Sequence, residues 1–178
     1  VKAKLAATLE LSFAALCISS LLGSILGIIS ALRKGSSVDN ALTVAGMLGL
    51  SIPEFFFGLC SLLFFAINTP VFPIGGRLTA GDGGLADRLY HLVLPALVMG
   101  LAMTAGVMRY ARSSMLDTAH KDYIKTARSK GIAEWKVHLL HGFRTALTPI
   151  IVLIGFRLPT LIGGSVVIEQ VFQWPGVG

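Results

Sequence analysis

Apolar residues run almost unbroken through four stretches of this chain, roughly Leu5 to Leu32, Ala41 to Ile67, His91 to Met108 and Ala146 to Ile168, and polar residues gather between them. A helix rising 1.5 Å per residue needs about 20 apolar residues to cross a hydrocarbon core of roughly 30 Å. Each stretch therefore predicts a membrane-spanning helix, and the fold class expected is all-α, a polytopic transmembrane bundle of about four spans. Gly23 and Gly27 in the first span form a small-xxx-small pair suited to close helix contact. Simple tolerance of glycine in a membrane helix explains them equally well at this stage.

The polar segments set the orientation, because Lys and Arg accumulate in cytoplasmic loops. Arg33 and Lys34 follow the first span, whereas 68–90 sets Arg77 and Arg88 against Asp82 and Asp87. Between Arg109 and Arg144 lie eight basic residues, Arg109, Arg112, Lys121, Lys125, Arg128, Lys130, Lys136 and Arg144, opposed only by Asp117, Asp122 and Glu134. Spans one and three are thus expected to run inward and spans two and four outward. That places 109–145 in the cytoplasm and 68–90 outside, and leaves Lys2 and Lys4 outside against the rule.

A cytoplasmic segment of about 36 residues exceeds the roughly 2 to 8 that join packed helices, so it should have structure and work of its own. Asp122 to Lys130 reads as a short helix with an acid in its first turn, Arg128 and Lys130 in its last, and Gly131 where a left-handed cap belongs. Tyr123, Ile124 and Ala127 share one of its faces. A second helix is expected from Glu134, with Trp135, Leu139, Phe143 and Leu147 at i, i+4 spacing and Lys136, His138, His141 and Arg144 on other faces. Two such helices around a glycine bend make a small basic knob. Physical reasoning alone weighs docking into a groove on a soluble partner equally against contact with anionic lipid.

Composition agrees with a membrane protein. Of 178 residues 54% are hydrophobic and 13% charged, with mean hydropathy +0.77, where a soluble domain carries about 25% charge. The net charge of +6 sits in clusters between apolar runs, which argues against a nucleic-acid partner. Cys17 and Cys60 lie in apolar runs without ligand-like neighbours and are expected to be small core residues. The chain opens on Val1 without a signal segment and stops after a turn signal, so a piece of a longer protein is expected.

Glu54 and Arg157 fall inside spans, 13 and 11 residues from the cytoplasmic starts of spans two and four. A charge at the bilayer centre costs at least about 2.5 kcal/mol, so each should face water or a partner. Two arrangements satisfy this: both line a translocation cavity, or they form a structural ion pair. Pro53 and Pro159 stand nearby, where breaks in membrane helices often border binding cavities. Phe172 to Gly178 predicts a short extracytoplasmic turn with Trp174 at the membrane interface.

The stretch Asp122-Tyr123-Ile124-Lys125-Thr126-Ala127-Arg128-Ser129-Lys130-Gly131 resembles the coupling-loop signature of binding-protein-dependent ABC permeases, in the form found in dipeptide, oligopeptide and nickel importers. Arg109 to Leu116 resembles its lead-in. Further matches are Gly49-Leu50-Ser51-Ile52-Pro53 with Phe55 and Gly58, His91-Leu92-Val93-Leu94-Pro95-Ala96, and Gly163-Gly164 through Glu169 to Phe172-Gln173-Trp174-Pro175-Gly176-Val177-Gly178. The general signature opens Glu-Ala-Ala and closes Ile-x-Leu-Pro. Here Lys125-Thr126-Ala127 and His141-Gly142-Phe143-Arg144 stand in those places, as in the peptide and nickel branch. Ala133 replaces the usual N-cap Ser of the second coupling helix, at about 1 kcal/mol of helix stability.

The resemblance implies one importer transmembrane domain over 1–178, with the family's first and last transmembrane helices missing and a coupling loop at 109–145. It implies a non-enzymatic permease subunit in a prokaryotic plasma membrane. The expected partners are a second permease, two cytoplasmic ATPases holding ATP and Mg, and an extracytoplasmic binding protein. No cofactor is expected on this chain, which lacks a G-x-x-x-x-G-K-[ST] phosphate loop. Coupling would fall to Asp122, Tyr123, Lys125, Thr126, Ala127, Arg128, Lys130 and Gly131, with Lys125, Arg128 and Lys130 pairing with ATPase acids and Tyr123 and Ala127 packing in its cleft. The translocation path would include Ser51, Pro53, Glu54, Arg157 and Glu169. The rival readings are an intramembrane protease, which lacks G-x-S-x-G and H-E-x-x-H frames, and a secondary transporter or channel, which leaves the basic loop unexplained.

Overall fold

In the computed structural model the backbone is described for residues 2–79, 83–119, 121–131, 136–137 and 144–178, without the side chains of 128, 144–146, 149 and 158–165. Its helices are α1 (Lys2–Leu32), α2 (Ser37–Ser51), α3 (Glu54–Leu62), which continues as a π-helix over Leu63–Asn68, α4 (Leu85–Ala119), α5 (Asp122–Ser129) and α6 (Arg144–Val171). The all-α bundle expected from the sequence is what forms. Among the described residues two helices, α1 and α4, are long and apolar enough to cross a membrane, and a third span results if the bent pair Ser37–Ser51 and Glu54–Asn68 is one crossing. The fourth expected stretch, Ala146 to Ile168, lies within the 28 residues of α6.

The core is the pairing of α1 with α4. On α1 the buried positions Ala7, Leu11, Ala15, Ser19, Gly23, Gly27 and Ser30 recur every three or four residues, a stripe of small side chains that lets two backbones approach. A Cβ on Gly23 would lie 2.6 Å from Val107 Cβ, one on Gly27 2.5 Å from the Met108 carbonyl oxygen, and one on Gly100 2.8 Å from Ile18 Cβ. The glycines of span one are therefore packing residues, not tolerated ones. Leu92, Ala96, Met99 and Val107 complete the seam from α4, and Ile168 of α6 with Phe172 just beyond it closes one end of the core.

The second span is bent rather than straight, by 95° between its halves. Pro53 is the cause: it confines Ile52 to extended backbone (φ −81°, ψ 122°) and starts α3 with its own fixed φ of −60°. Pro159 does not interrupt its helix, since α6 runs through it, and α4 likewise contains Pro95. Neighbouring helices re-satisfy the freed backbone groups in such cases; Pro95 is itself buried in the core, where α4 meets α1. α4 also outruns the expected third span at both ends. Its 35 residues extend about 52 Å, well beyond the hydrocarbon thickness, so Arg109 to Ala119 continues the helix instead of opening a loop.

Large apolar side chains cover the outside of the bundle, among them Phe13, Leu21, Met47, Phe55, Phe64 and Phe156, the surface a bilayer or an apolar partner covers. Cys17 and Cys60 belong to this outer surface and not to the core, as free thiols.

Candidate functional site

At one end of the bundle α4 gives way to α5 through a tight joint, with Lys121 N–H donating to Thr118 O and Ile124 N–H to Lys121 O. Asp122 opens α5: its side chain accepts from Lys125 Nζ at 2.9 Å and its carbonyl from Thr126 Oγ1 at 3.0 Å. The helix ends at Gly131, whose φ of +74° is the left-handed conformation expected from the sequence, with nothing within 4 Å of a Cβ placed there. Among the described residues nothing crowds Gly131, and its backbone conformation is what demands glycine.

The shared face of α5 is not composed as expected. Ile124 and Ala127 are buried together with Val137 of the same chain. Tyr123 is 42% exposed, because it falls about 100° around the helix from Ile124. Tyr123, Lys125 and Lys130 thus form the outward surface. The Arg128 side chain and the second coupling helix, with Trp135, Leu139 and Phe143, lie outside the described residues.

Within the bundle, Ser51 and Glu54 flank the break at Pro53. Ser51 Oγ donates to Met47 O at 2.9 Å, and an apolar cavity of about 150 Å³ opens beside the break between Gly49, Ile52, Phe57, Leu101 and Ala102. Glu54 and Arg157 do not pair with each other. The Arg157 guanidinium lies against Gly106 of α4, close enough that a Cβ there would collide with Nη2. The ion-pair alternative therefore falls.

Glu169, expected along the path, is a buried organiser of the turn over 172–178. It is 2% exposed, accepts from Thr8 Oγ1 at 2.5 Å and from Gly178 N–H at 2.8 Å, and its carbonyl accepts from Trp174 N–H at 2.8 Å. Thr8 Oγ1 in turn accepts from Val177 N–H at 2.9 Å. A Cβ on Gly176 would overlap the Glu169 carboxylate, which explains the glycine. Trp174 is 3% exposed, its Nε1–H donating to Ala7 O at 2.8 Å. Arg77 lies 6.0 Å from the Trp174 ring and, with Arg88, donates to Glu10. Polar groups spread over the sequence thus join α1, α4, α6 and 72–77 into one plate at the end of the bundle opposite α5.

Sequence reasoning missed a second carboxylate cluster. Asp39, in the first turn of α2 and ahead of the second span, accepts from Arg112 Nε and Nη2 at 2.8 Å each, from Ser30 Oγ at 2.5 Å and from Gly35 N–H at 2.9 Å. The Arg112 guanidinium and these hydrogen bonds hold its carboxyl well below the usual carboxylate range. The signal was present as Ser36-Ser37-Val38-Asp39 before an apolar run, a capping pattern that forms with Ser36 Oγ accepting from Asp39 N–H at 3.3 Å.

The family model described as binding-protein-dependent transport system inner membrane component matches residues 23–178. The chain is 42% identical, over all of its length, to the oligopeptide transport system permease protein AppB of Bacillus subtilis (strain 168), of which it covers 57%. With 97% of its length aligned, it is 35% identical to the di/tripeptide transport system permease protein DppB of Pseudomonas aeruginosa (strain UCBPP-PA14) and 31% to the dipeptide transport system permease protein DppB of Escherichia coli (strain K12), covering 57% of each. The chain spans a little over half the length of these relatives.

Proposed function

The chain belongs to the family of binding-protein-dependent transport system inner membrane components, and from that premise we propose that it forms part of the translocation path of an ATP-driven peptide importer. α1, the bent pair α2 and α3, α4 and α6 cross the membrane, with α5 on the cytoplasmic side, where its Lys125, Lys130 and neighbouring basic residues follow the positive-inside rule. The plate around Glu169 and Trp174 then faces outside. Relatives named for oligopeptides, di/tripeptides and dipeptides favour peptide cargo over nickel.

The observation that carries this reading is α5 itself. A short polar helix, stopped by a left-handed glycine, stands at the end of a 35-residue helix that overshoots the membrane. In this reading Tyr123, Lys125, Arg128 and Lys130 meet a cytoplasmic ATPase, while Asp122 and Thr126 set the start of the helix and Gly131 its exit angle. ATP and Mg reside on that partner. A second permease and an extracytoplasmic binding protein complete the assembly, and the break at Ser51, Pro53 and Glu54, with Arg157, borders the path. Closure of the ATPases moves α5 and shifts the permease between inward-open and outward-open states.

Co-purification of the full-length permease with an ATPase encoded beside it tests this at fixed salt. Wild type retains the ATPase and Gly131→Asp loses it while eluting as a folded species. Equal retention by both, or by neither, would leave α5 as a lipid-surface element.

A further inference from the structure

The clamp at Asp39 sits where force from α5 must pass. Arg112 lies seven residues before Ala119, the end of α4, which is about 10 Å or two helical turns. Its guanidinium grips Asp39 through both Nε and Nη2, the planar fork geometry that only arginine provides. The remaining acceptor positions of the carboxylate are filled by Ser30 Oγ at the end of α1 and by Gly35 N–H in the turn between α1 and α2. All four lone-pair sites of Asp39 are thus used, and three segments meet on one side chain that is 3% exposed.

The turn itself is shaped for this contact. Gly35 has φ +78°, which aims its N–H at the carboxylate, and Asp39 also stands in the capped first turn of α2. Deeper along the same seam the contacts of Gly27 with Met108 and Ala111, and of Gly23 with Val107, leave no slack between α1 and α4. A displacement of α5 is therefore delivered to α2, and through α2 to the break at Pro53, rather than absorbed where α4 leaves the membrane.

We propose that Asp39 and Arg112 are positioning residues for transport, a clamp that transmits movement of the coupling helix to the bent second span. The inference rests on the reading of α5 as the ATPase contact. It assigns the transmission to a contact, buried on the Asp39 side, that touches neither the ATPase nor the cargo.

The test uses the whole importer in proteoliposomes, with peptide uptake and ATP hydrolysis measured on the same preparation for wild type, Asp39→Asn and Arg112→Lys. Both variants are expected to retain the ATPase at the wild-type ratio. Uptake per ATP hydrolysed should fall about tenfold in Asp39→Asn, within the range typical of coupling free energies, and by less in Arg112→Lys, which keeps the charge but loses the fork. Restoring arginine at 112 should recover the ratio. An unchanged ratio, or uptake and hydrolysis falling in equal proportion, would overturn the clamp. If Asp39→Asn fails to assemble, Arg112→Lys decides alone. Failure of the wild type to retain an ATPase would overturn the α5 reading and the clamp with it, whereas normal retention with an unchanged ratio overturns only the clamp.

Discussion

Replacing Gly27 by alanine tests the α1–α4 seam most sharply. The added Cβ would sit 2.5 Å from the Met108 carbonyl oxygen and 2.6 Å from Ala111 Cβ, against 3.4 Å for ordinary contact. The two backbones must therefore separate by nearly 1 Å, and neither obstacle is the far end of a flexible side chain. Overpacking of this kind costs about 1–3 kcal/mol, partly offset by the helix preference of alanine over glycine, about 1 kcal/mol. Gly49 supplies the control: it too is helical, but a Cβ there meets only Ala105 Cβ, at 3.8 Å, so Gly49→Ala gains the helix preference without the clash. Thermal unfolding in one mild detergent should place Gly27→Ala several degrees below wild type and Gly49→Ala at or above it. Equal midpoints for the two variants would refute the close approach of α1 and α4.

Gly131→Ala should weaken the end of α5 by about 1 kcal/mol through backbone strain alone, read as faster amide exchange in 122–131 with the midpoint of the bundle unchanged. Thr8→Val should cost about 1–3 kcal/mol, because it strands the Val177 N–H and takes one donor from Glu169, whereas Trp174→Phe removes one bond to Ala7 O and should cost about 1 kcal/mol; thermal midpoints in the reverse order would contradict the account of the outer plate. Asp39 is depressed in the folded state, so its stabilisation is complete above the ordinary carboxylate pKa and is lost as pH falls below about 4. The midpoint gap between wild type and Asp39→Asn should accordingly be constant from pH 8 to 5 and narrow progressively as pH falls below about 4; a gap that does not narrow at all on acidification would argue against the ionised clamp.

The long apolar runs made the helices legible, because membrane helices satisfy their own backbone and advertise themselves by composition. Gly131 was legible for the same local reason, since a left-handed cap depends on neighbouring residues only. What periodicity could not supply was tertiary. That the chain bends by 95° at Pro53 while α6 passes unbroken through Pro159 is not decided by the presence of proline alone. The resemblance put Glu169 on the path, and only the fold shows that it bonds Thr8, 161 positions earlier, and Gly178. Arg112 was counted among the loop's basic residues, and only the fold brings it to Asp39, 73 positions earlier.

The central claim is best tested by loading proteoliposomes of the complete importer with ATP, supplying the binding protein and a labelled peptide outside, and following uptake. The account predicts accumulation that requires hydrolysable ATP, persists when the proton gradient is collapsed, and disappears in Gly131→Asp. Uptake driven by a proton gradient with no ATP present would contradict it and assign the chain to a secondary transporter whose basic helix lies on the lipid surface.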